Sequence, residues 1–169
     1  FIIGDKKLYK KLLRNITNKN TWSKKMFLLE KKLEQETRYN KFSNTGYLLE
    51  PNIKEGPGGF RDLQTLIWIA KKNFKTNSLF DIYKTDIISK KEYLALLRAQ
   101  RLLNKTRFLL HYIHEKPEER LYFTSQKNLA ELFGFDVKTN NGIEDYMQIF
   151  YKHITCLLYT SPSTRDTLL

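Results

Sequence analysis

The segment LEPNIKEGPGGFRDLQ, residues 49–64, separates an irregular stretch of the chain from a regular one. Pro51, Pro57 and three glycines disfavour a long helix, because proline lacks the N–H donor and glycine loses much backbone freedom on folding. The following residues carry apolar side chains at the spacing of one helical face as far as Phe74. The segment therefore predicts a rigid loop that leads into a helix over residues 58–74.

Groups that attract anions are concentrated where this loop meets the helix. Lys54 and Arg61 carry positive charge, and Gly58 and Gly59 allow a ligand to approach the backbone because they have no Cβ atom. The first helical turn offers free N–H groups, and Asp62 suits that turn and is placed to orient Arg61. These five residues form a candidate nucleotide or interdomain site. The alternative is that Arg61 pairs with Asp62 or a neighbouring Glu and only locks the loop.

Helical periodicity extends through most of the remaining sequence. Further helices are predicted at residues 5–16, 21–39, 78–83, 89–115, 125–133 and 143–154, of which 89–115 is the longest. Thr21 is the expected N-cap of the second, and Ser89 with Glu92 has the spacing of a capping box. The expected fold is all-α (mainly α), a helical bundle with one irregular Gly/Pro-rich loop and at most minor β. Among the positions expected to face the core are Leu8, Leu12, Ile16, Met26, Leu29, Leu33, Leu94, Leu97, Leu102, Leu109 and Ile113.

The charge of the chain leaves two interpretations open. With a net charge of +12 over 169 residues, a phosphate-rich partner is one reading. The other is that the lysines form solvated faces, since they occur as pairs spread along the helices. One cysteine makes neither an internal disulfide nor a zinc site, and no run has the length of a transmembrane helix. These features predict a cytoplasmic protein.

At residues 50–64 the sequence closely resembles the E-P-N-[IV]-K-E-G-P-G-G-L-R-D-[IL]-Q segment of bacterial bifunctional PII uridylyltransferase/uridylyl-removing enzymes, with Phe60 in place of the usual Leu. The resemblance extends over about residues 20–155. Glutamine-synthetase adenylyltransferases share a related Gly-Gly-x-Arg segment and are the nearest alternative family. The other matching pieces are Glu36, Arg38-Tyr39, LIWIAKKNF at 66–74, RFLLH at 107–111, RLYF at 120–123, Gln126, Leu129-Ala130 and FGF at 133–135.

The resemblance implies an enzyme that transfers UMP from UTP to the PII signal protein and removes it again, with Mg²⁺ in both reactions. Such enzymes join a polymerase-β-like nucleotidyltransferase domain, this helical region, an HD hydrolase domain and two ACT sensor domains. The present sequence has neither a Gly-Ser plus Asp-x-Asp pattern nor a His-Asp pair. We therefore expect no catalytic residues and no bound metal in this chain, and an inactive protein when it is isolated. DNA, RNA and membranes are not expected partners.

Three parts of the chain are distinguished on this basis. Residues 1–45 are expected to be N-terminal helices at the end of, or linking from, the nucleotidyltransferase domain. Residues 46–155 are expected to be the helical uridylyltransferase-associated domain. Residues 156–169, beginning CLLYTSPSTRD, resemble a translated sequencing adapter and are expected to add almost nothing to the core.

Other functions remain open from the residues alone. His111 and His114 lie one turn apart and are candidate metal ligands, but the sequence shows no further ligands, so a polar helix face is the plainer reading. A basic helical nucleic-acid-binding module and a helical scaffold that joins domains are the remaining alternatives. The aromatic residues are expected to be core anchors rather than base-stacking platforms.

Overall fold

The computed structural model describes residues 3–17, 23–138 and 140–160, and these residues are mainly helical. Within them the only strand-like pairing is a single antiparallel bridge between Asn52 and Arg120. The prediction of a mainly α fold with one irregular loop is confirmed. No helix of the described part is long and apolar enough to cross a membrane. The helices are α1 (Lys6–Thr17), α2 (Lys24–Asn40), α3 (Phe60–Phe74), α4 (Leu79–Tyr83), α5 (Lys90–His114), α6 (Phe123–Leu132) and α7 (Asn140–Thr160).

The ends of the helices follow local sequence signals. Ser89 and Glu92 form the predicted capping box of α5, the longest helix, which ends where Glu115 adopts a left-handed conformation. Helix α2 begins after Ser23, whose hydroxyl accepts the N–H of Met26, and the expected cap Thr21 lies outside the described residues. Helices α6 and α7 begin earlier than predicted. Helix α6 follows Tyr122, which makes no side-chain capping hydrogen bond, and α7 begins at Asn140.

The core is organised around α5, which contacts α3, α4, α6 and α7. Its buried positions are Leu96, Ala99, Leu103, Thr106 and Leu110. The prediction of the α5 core face was therefore right only in part. Leu102, Leu109 and Ile113 are half-buried and pack against the core cluster, whereas Leu94 is 38% exposed and Leu97 is half-buried. The Thr106 hydroxyl lies 3.2 Å from that of Tyr146 on α7. Burial raises the pKa of Tyr146 to about 12.

The first two helices also differ from expectation. Leu8 and Leu12 of α1 are 65% and 55% exposed, and the side chain of Ile16 lies outside the description. On α2, Met26, Leu29 and Leu33 are 47%, 48% and 49% exposed, so these three were wrongly assigned to the core. The buried side of α2 consists instead of Leu28, Gln35 and Arg38, which face α3.

The segment after residue 155 contributes to the core, contrary to expectation. Leu157 is only 2% exposed and belongs to the buried cluster, and Leu158 packs against that cluster near Gly46. Tyr159 is 74% exposed, and residues 161–169 lie outside the description. Helix α7 therefore continues its apolar face past Ile154, whatever the origin of this stretch.

Replacing Leu157 by Ala tests this finding. Deleting a fully buried leucine side chain removes apolar burial and leaves a cavity, so the free energy of unfolding should fall by about 2–5 kcal/mol. The matched control is Tyr159→Ala two residues further on, where a largely exposed side chain predicts a loss below about 1 kcal/mol. Urea unfolding of both variants measures the two losses. Equal stability of the variants would show that the segment does not contribute to the core.

Candidate functional site

The loop between α2 and α3 is held against the segment that precedes α6. The N–H of Ile53 donates to the carbonyl of Glu119 at 2.8 Å, and the N–H of Leu121 donates to the carbonyl of Pro51 at 2.9 Å. The amide of Gln126 donates to the carbonyl of Leu49 at 2.7 Å. Backbone N–H and C=O groups of the irregular loop thus find hydrogen-bond partners in other segments of the chain.

A buried carboxylate joins this loop to both neighbouring helices. The Oδ1 atom of Asp62 accepts hydrogen bonds from Arg38 Nη2 at 2.6 Å and Gln35 Nε2 at 3.1 Å. Its Oδ2 atom accepts from the Tyr39 hydroxyl at 2.5 Å and from the N–H of Gly58 at 2.6 Å. A single side chain of α3 therefore binds three residues of α2 and the backbone of the loop.

The electrostatics of this cluster are those of a desolvated ion pair. The side chains of Arg38 and Asp62 are 8% and 1% exposed. Burial, followed by the nearby charge of Asp62 and its hydrogen bond, raises the pKa of Tyr39 well above its ordinary value, so the hydroxyl stays protonated and donates. Arg38 also donates through Nη1 to the carbonyl of Glu55 at 2.9 Å. Breaking such a pair on one side leaves an uncompensated buried charge.

Gly58 and Gly59 serve internal packing in this structure. Gly58 has φ +76°, and a Cβ atom placed there would lie 2.6 Å from the carbonyl oxygen of Ile154 on α7. A Cβ atom on Gly59 would lie 2.8 Å from the carbonyl oxygen of Ile53. The close approach that the sequence indicated is therefore made by the protein's own backbone.

The N–H groups at the start of α3 are also occupied. Those of Phe60 and Arg61 donate to the carbonyls of Ile53 and Lys54 at 3.0 and 2.9 Å. The free donors expected for anion binding at this helix start are thus absent from its first two residues. Any contact with a phosphate would depend on the side chains of the candidate site.

Arg61 points away from Asp62. Its Nη2 atom lies 3.0 Å from Glu55 Oε1, its Nη1 atom donates to Gln64 Oε1 at 3.0 Å, and its guanidinium lies 5.8 Å from the ring centroid of Trp68. The side chain keeps 26% of its surface exposed, as expected for a residue that faces outward. Of the two pairings considered from the sequence, the one with a neighbouring Glu is the one found.

A cleft of about 530 Å³ lies between α2 and the loop. Arg38 and Arg61 contribute to its wall, whereas Lys54, half-buried, does not. The five candidate residues are thus divided: Gly58, Gly59 and Asp62 are interior, and Lys54 and Arg61 retain accessible surface. The full lining is Glu34, Thr37, Arg38, Lys41, Phe42, Asn52, Glu55 and Arg61.

Sequence reasoning missed the α2 side of the cluster. Gln35, Arg38 and Tyr39 are spaced at i, i+3 and i+4, which places them on one helical face. A polar stripe of that spacing on one helix, together with an Asp in the first turn of the next helix, is the sequence signal of a buried polar network.

The two histidines considered as metal ligands have other neighbours. The Nε2 atom of His114 lies 2.8 Å from the hydroxyl oxygen of Ser125, and that of His111 lies 3.6 Å from Glu119 Oε1. Glu119 is itself engaged by Arg107 through Nε at 2.9 Å. Among the described residues no group of three or more His, Cys, Asp or Glu side chains is arranged to hold a metal.

Replacing Asp62 by Ala tests the role of the buried carboxylate. Because Arg38 would remain buried without its partner, the free energy of unfolding should fall by about 3–5 kcal/mol. The control is Glu34→Ala on α2, which removes the carboxylate that pairs with Lys31. The Glu34 side chain is 45% exposed, so the free energy of unfolding should fall by less than about 1 kcal/mol. Chemical denaturation measures both. A loss at Asp62 no larger than at Glu34 would contradict the assignment.

With this geometry established, known proteins give the context. The family model described as GlnD PII-uridylyltransferase matches residues 26–160. The chain is 39% identical over 152 residues to the bifunctional uridylyltransferase/uridylyl-removing enzyme of Stutzerimonas stutzeri, covering 89% of this chain and 17% of that protein. The enzymes of the same name from Hydrogenovibrio crunogenus and Methylococcus capsulatus are 39% and 37% identical, over 83% and 91% of this chain and 17% and 18% of their own lengths.

The chain thus spans about a sixth of the length of these relatives, 17% for the first of them. No solved structure matches it significantly. The family match includes the loop, the start of α3 that carries Asp62, and all helices from α3 onward. On the strength of this match, the chain belongs to the GlnD PII-uridylyltransferase family.

Proposed function

We propose that this chain is the helical, non-catalytic part of an enzyme that transfers UMP from UTP to the PII signal protein and removes it again in the regulation of nitrogen metabolism. The observation that supports the proposal most is the family match over residues 26–160. The parent enzyme would act in the cytoplasm, with PII and UTP as partners and with neither nucleic acid nor membrane among them. A nucleic-acid-binding module is disfavoured because the family match accounts for the helical region without one.

The chemistry of the parent enzyme would reside outside these residues. Nucleotidyl transfer needs carboxylates that hold a metal and position the nucleophile. The sequence lacks the Asp-x-Asp and His-Asp patterns, and the described residues offer no three-ligand group that fits Mg²⁺. We therefore assign the Mg²⁺ of the proposed reactions to other domains and give this chain a supporting role.

Activity measurements test this assignment. The purified 169-residue chain should show no transfer of UMP to PII and no removal of UMP from modified PII. A full-length protein that includes the chain should catalyse both reactions with UTP, PII and Mg²⁺. Mass spectrometry of PII detects the added UMP. Turnover by the isolated chain would overturn the supporting role, and an inactive, folded full-length protein would overturn the proposed function.

We further propose that the loop and the start of α3 form the side of the domain that meets the nucleotide or the neighbouring catalytic domain. Asp62, Gly58 and Gly59 would fix the loop, while Arg61 and Lys54 would face the nucleotide phosphates. Two facts support this proposal. Gly58, Gly59 and Asp62 are interior, whereas Arg61 and Lys54 keep accessible surface. Arginine also binds phosphate with bidentate geometry. The second candidate is that Arg61 only locks the loop, and its contact with Glu55 at 3.0 Å favours that reading.

Two variants of the full-length enzyme separate these candidates. Arg61→Ala should raise the KM for UTP or lower kcat by about tenfold or more if the guanidinium meets the nucleotide. Glu55→Ala breaks the same ion pair but keeps the guanidinium, so its kinetics should stay near those of the unmodified enzyme. Steady-state assays and thermal melting are measured for both. If the two variants lose activity equally, or if Arg61→Ala melts far earlier with normal kinetics, the role of Arg61 is to lock the loop.

A further inference from the structure

Helix α2 has two faces of unexpected character. The face against α3 carries Gln35 and Arg38 besides Leu28. On the opposite side, Met26, Leu29 and Leu33 form a stripe at i, i+3 and i+7, each about half exposed at 47–49%. A helix at the surface of a domain normally turns its apolar stripe inward. Here the polar face is buried and the apolar face is uncovered.

The preceding helix also exposes apolar side chains. In α1, Leu8 and Leu12 lie one turn apart and are 65% and 55% exposed. Most of the cationic side chains of α1 lie on the side of the helix away from these leucines. The one acidic residue near the helix is Asp5, whose carboxylate accepts the N–H of Lys7 at 2.6 Å. The basic residues of α1 are Lys6, Lys7, Lys10, Lys11 and Arg14.

The comparisons show that relatives sharing these helices are much longer than this chain. The family model begins only at residue 26, at the first residue of the α2 stripe. The related enzyme of Pseudomonas fluorescens strain SBW25 nevertheless aligns over 95% of the chain, which requires that most of α1 is shared, and the chain covers only 18% of that enzyme. Helix α1 is therefore shared with a much longer relative but lies outside the region that the family model matches.

We propose that the α2 stripe (Met26, Leu29 and Leu33) is a docking surface for another domain of the same polypeptide in the full-length enzyme, and that the exposed leucines of α1 are covered there as well. The proposal rests on the proposed function only in requiring that longer polypeptide. The docked surface is apolar, to match the three α2 side chains and the leucines of α1. The greater length of the relatives supplies such a domain without a separate partner molecule.

The two methionines of the chain provide an internal test. Met26 is 47% exposed within the stripe, whereas Met147 is 8% exposed in the core. Hydrogen peroxide oxidises accessible methionine to the sulfoxide, and peptide mass spectrometry follows each residue separately. In the isolated chain Met26 should be oxidised much faster than Met147. In the full-length protein the oxidation of Met26 should slow by about tenfold or more because the docked domain covers it.

A double variant identifies the surface that gives this protection. Leu29→Glu with Leu33→Glu in the full-length protein should restore fast oxidation of Met26. The control Phe108→Glu replaces a side chain that is 70% exposed on α5 and should leave Met26 protected. In the isolated chain the double variant should melt within about 3 °C of the unmodified protein, because both positions are half exposed. Equal oxidation of Met26 in the chain and in the full-length protein overturns the proposal.

Two further measurements address other occupants of the surface. If the isolated chain dimerises at micromolar concentration by light scattering, and the double variant does not, the surface binds a second copy and the proposal fails. If the chain binds vesicles of phosphatidylglycerol and the double variant does not, the surface binds a membrane and the proposal also fails. Loss of Met26 protection is measured without any substrate, so its outcome is independent of whether the parent enzyme modifies PII.

Discussion

The fold depends most on the buried carboxylate of Asp62. Removing a carboxylate and a guanidinium from water is costly, and hydrogen bonds to the two buried charges offset part of that cost. Asp62 accepts four hydrogen bonds, from Arg38, Gln35, Tyr39 and the N–H of Gly58. These donors belong to α2 and the loop, so the position of α2 relative to α3 and the shape of the loop are set together.

This constraint explains why the glycines of the loop are needed. Gly58, whose N–H donates to Asp62, takes a positive φ of +76°, a conformation that glycine adopts without strain. The same backbone passes so close to Ile154 of α7 that a side chain would not fit. The loop is therefore fixed on one side by α2 and α3 through the carboxylate and on the other by α7 through steric contact. A loop held on both sides is suited to present accessible side chains in a defined geometry.

The sequence was informative where the signal was local. The capping box at Ser89, the short helix after Ser78 and the irregular loop depend on residues close in sequence, and each appears as predicted. Which face of a helix is buried depends on its partners, and here periodicity failed. Helix α5 has apolar residues around much of its circumference, and its buried positions include the small residues Ala99 and Thr106. On α2 the polar residues that bind Asp62 are buried in place of the apolar stripe.

The candidate site shows the same limit at the level of two adjacent residues. Arg61 and Asp62 are neighbours in sequence, and an ion pair between them was a natural expectation. Successive residues of a helix point about 100° apart, so Asp62 turns inward to Arg38 while Arg61 turns outward to Glu55 and Trp68. The first turn of α3 therefore separates two tasks: one residue fixes the loop from within, and the next is left with accessible charge. This separation permits the outward residue to change its contacts without loosening the interior network.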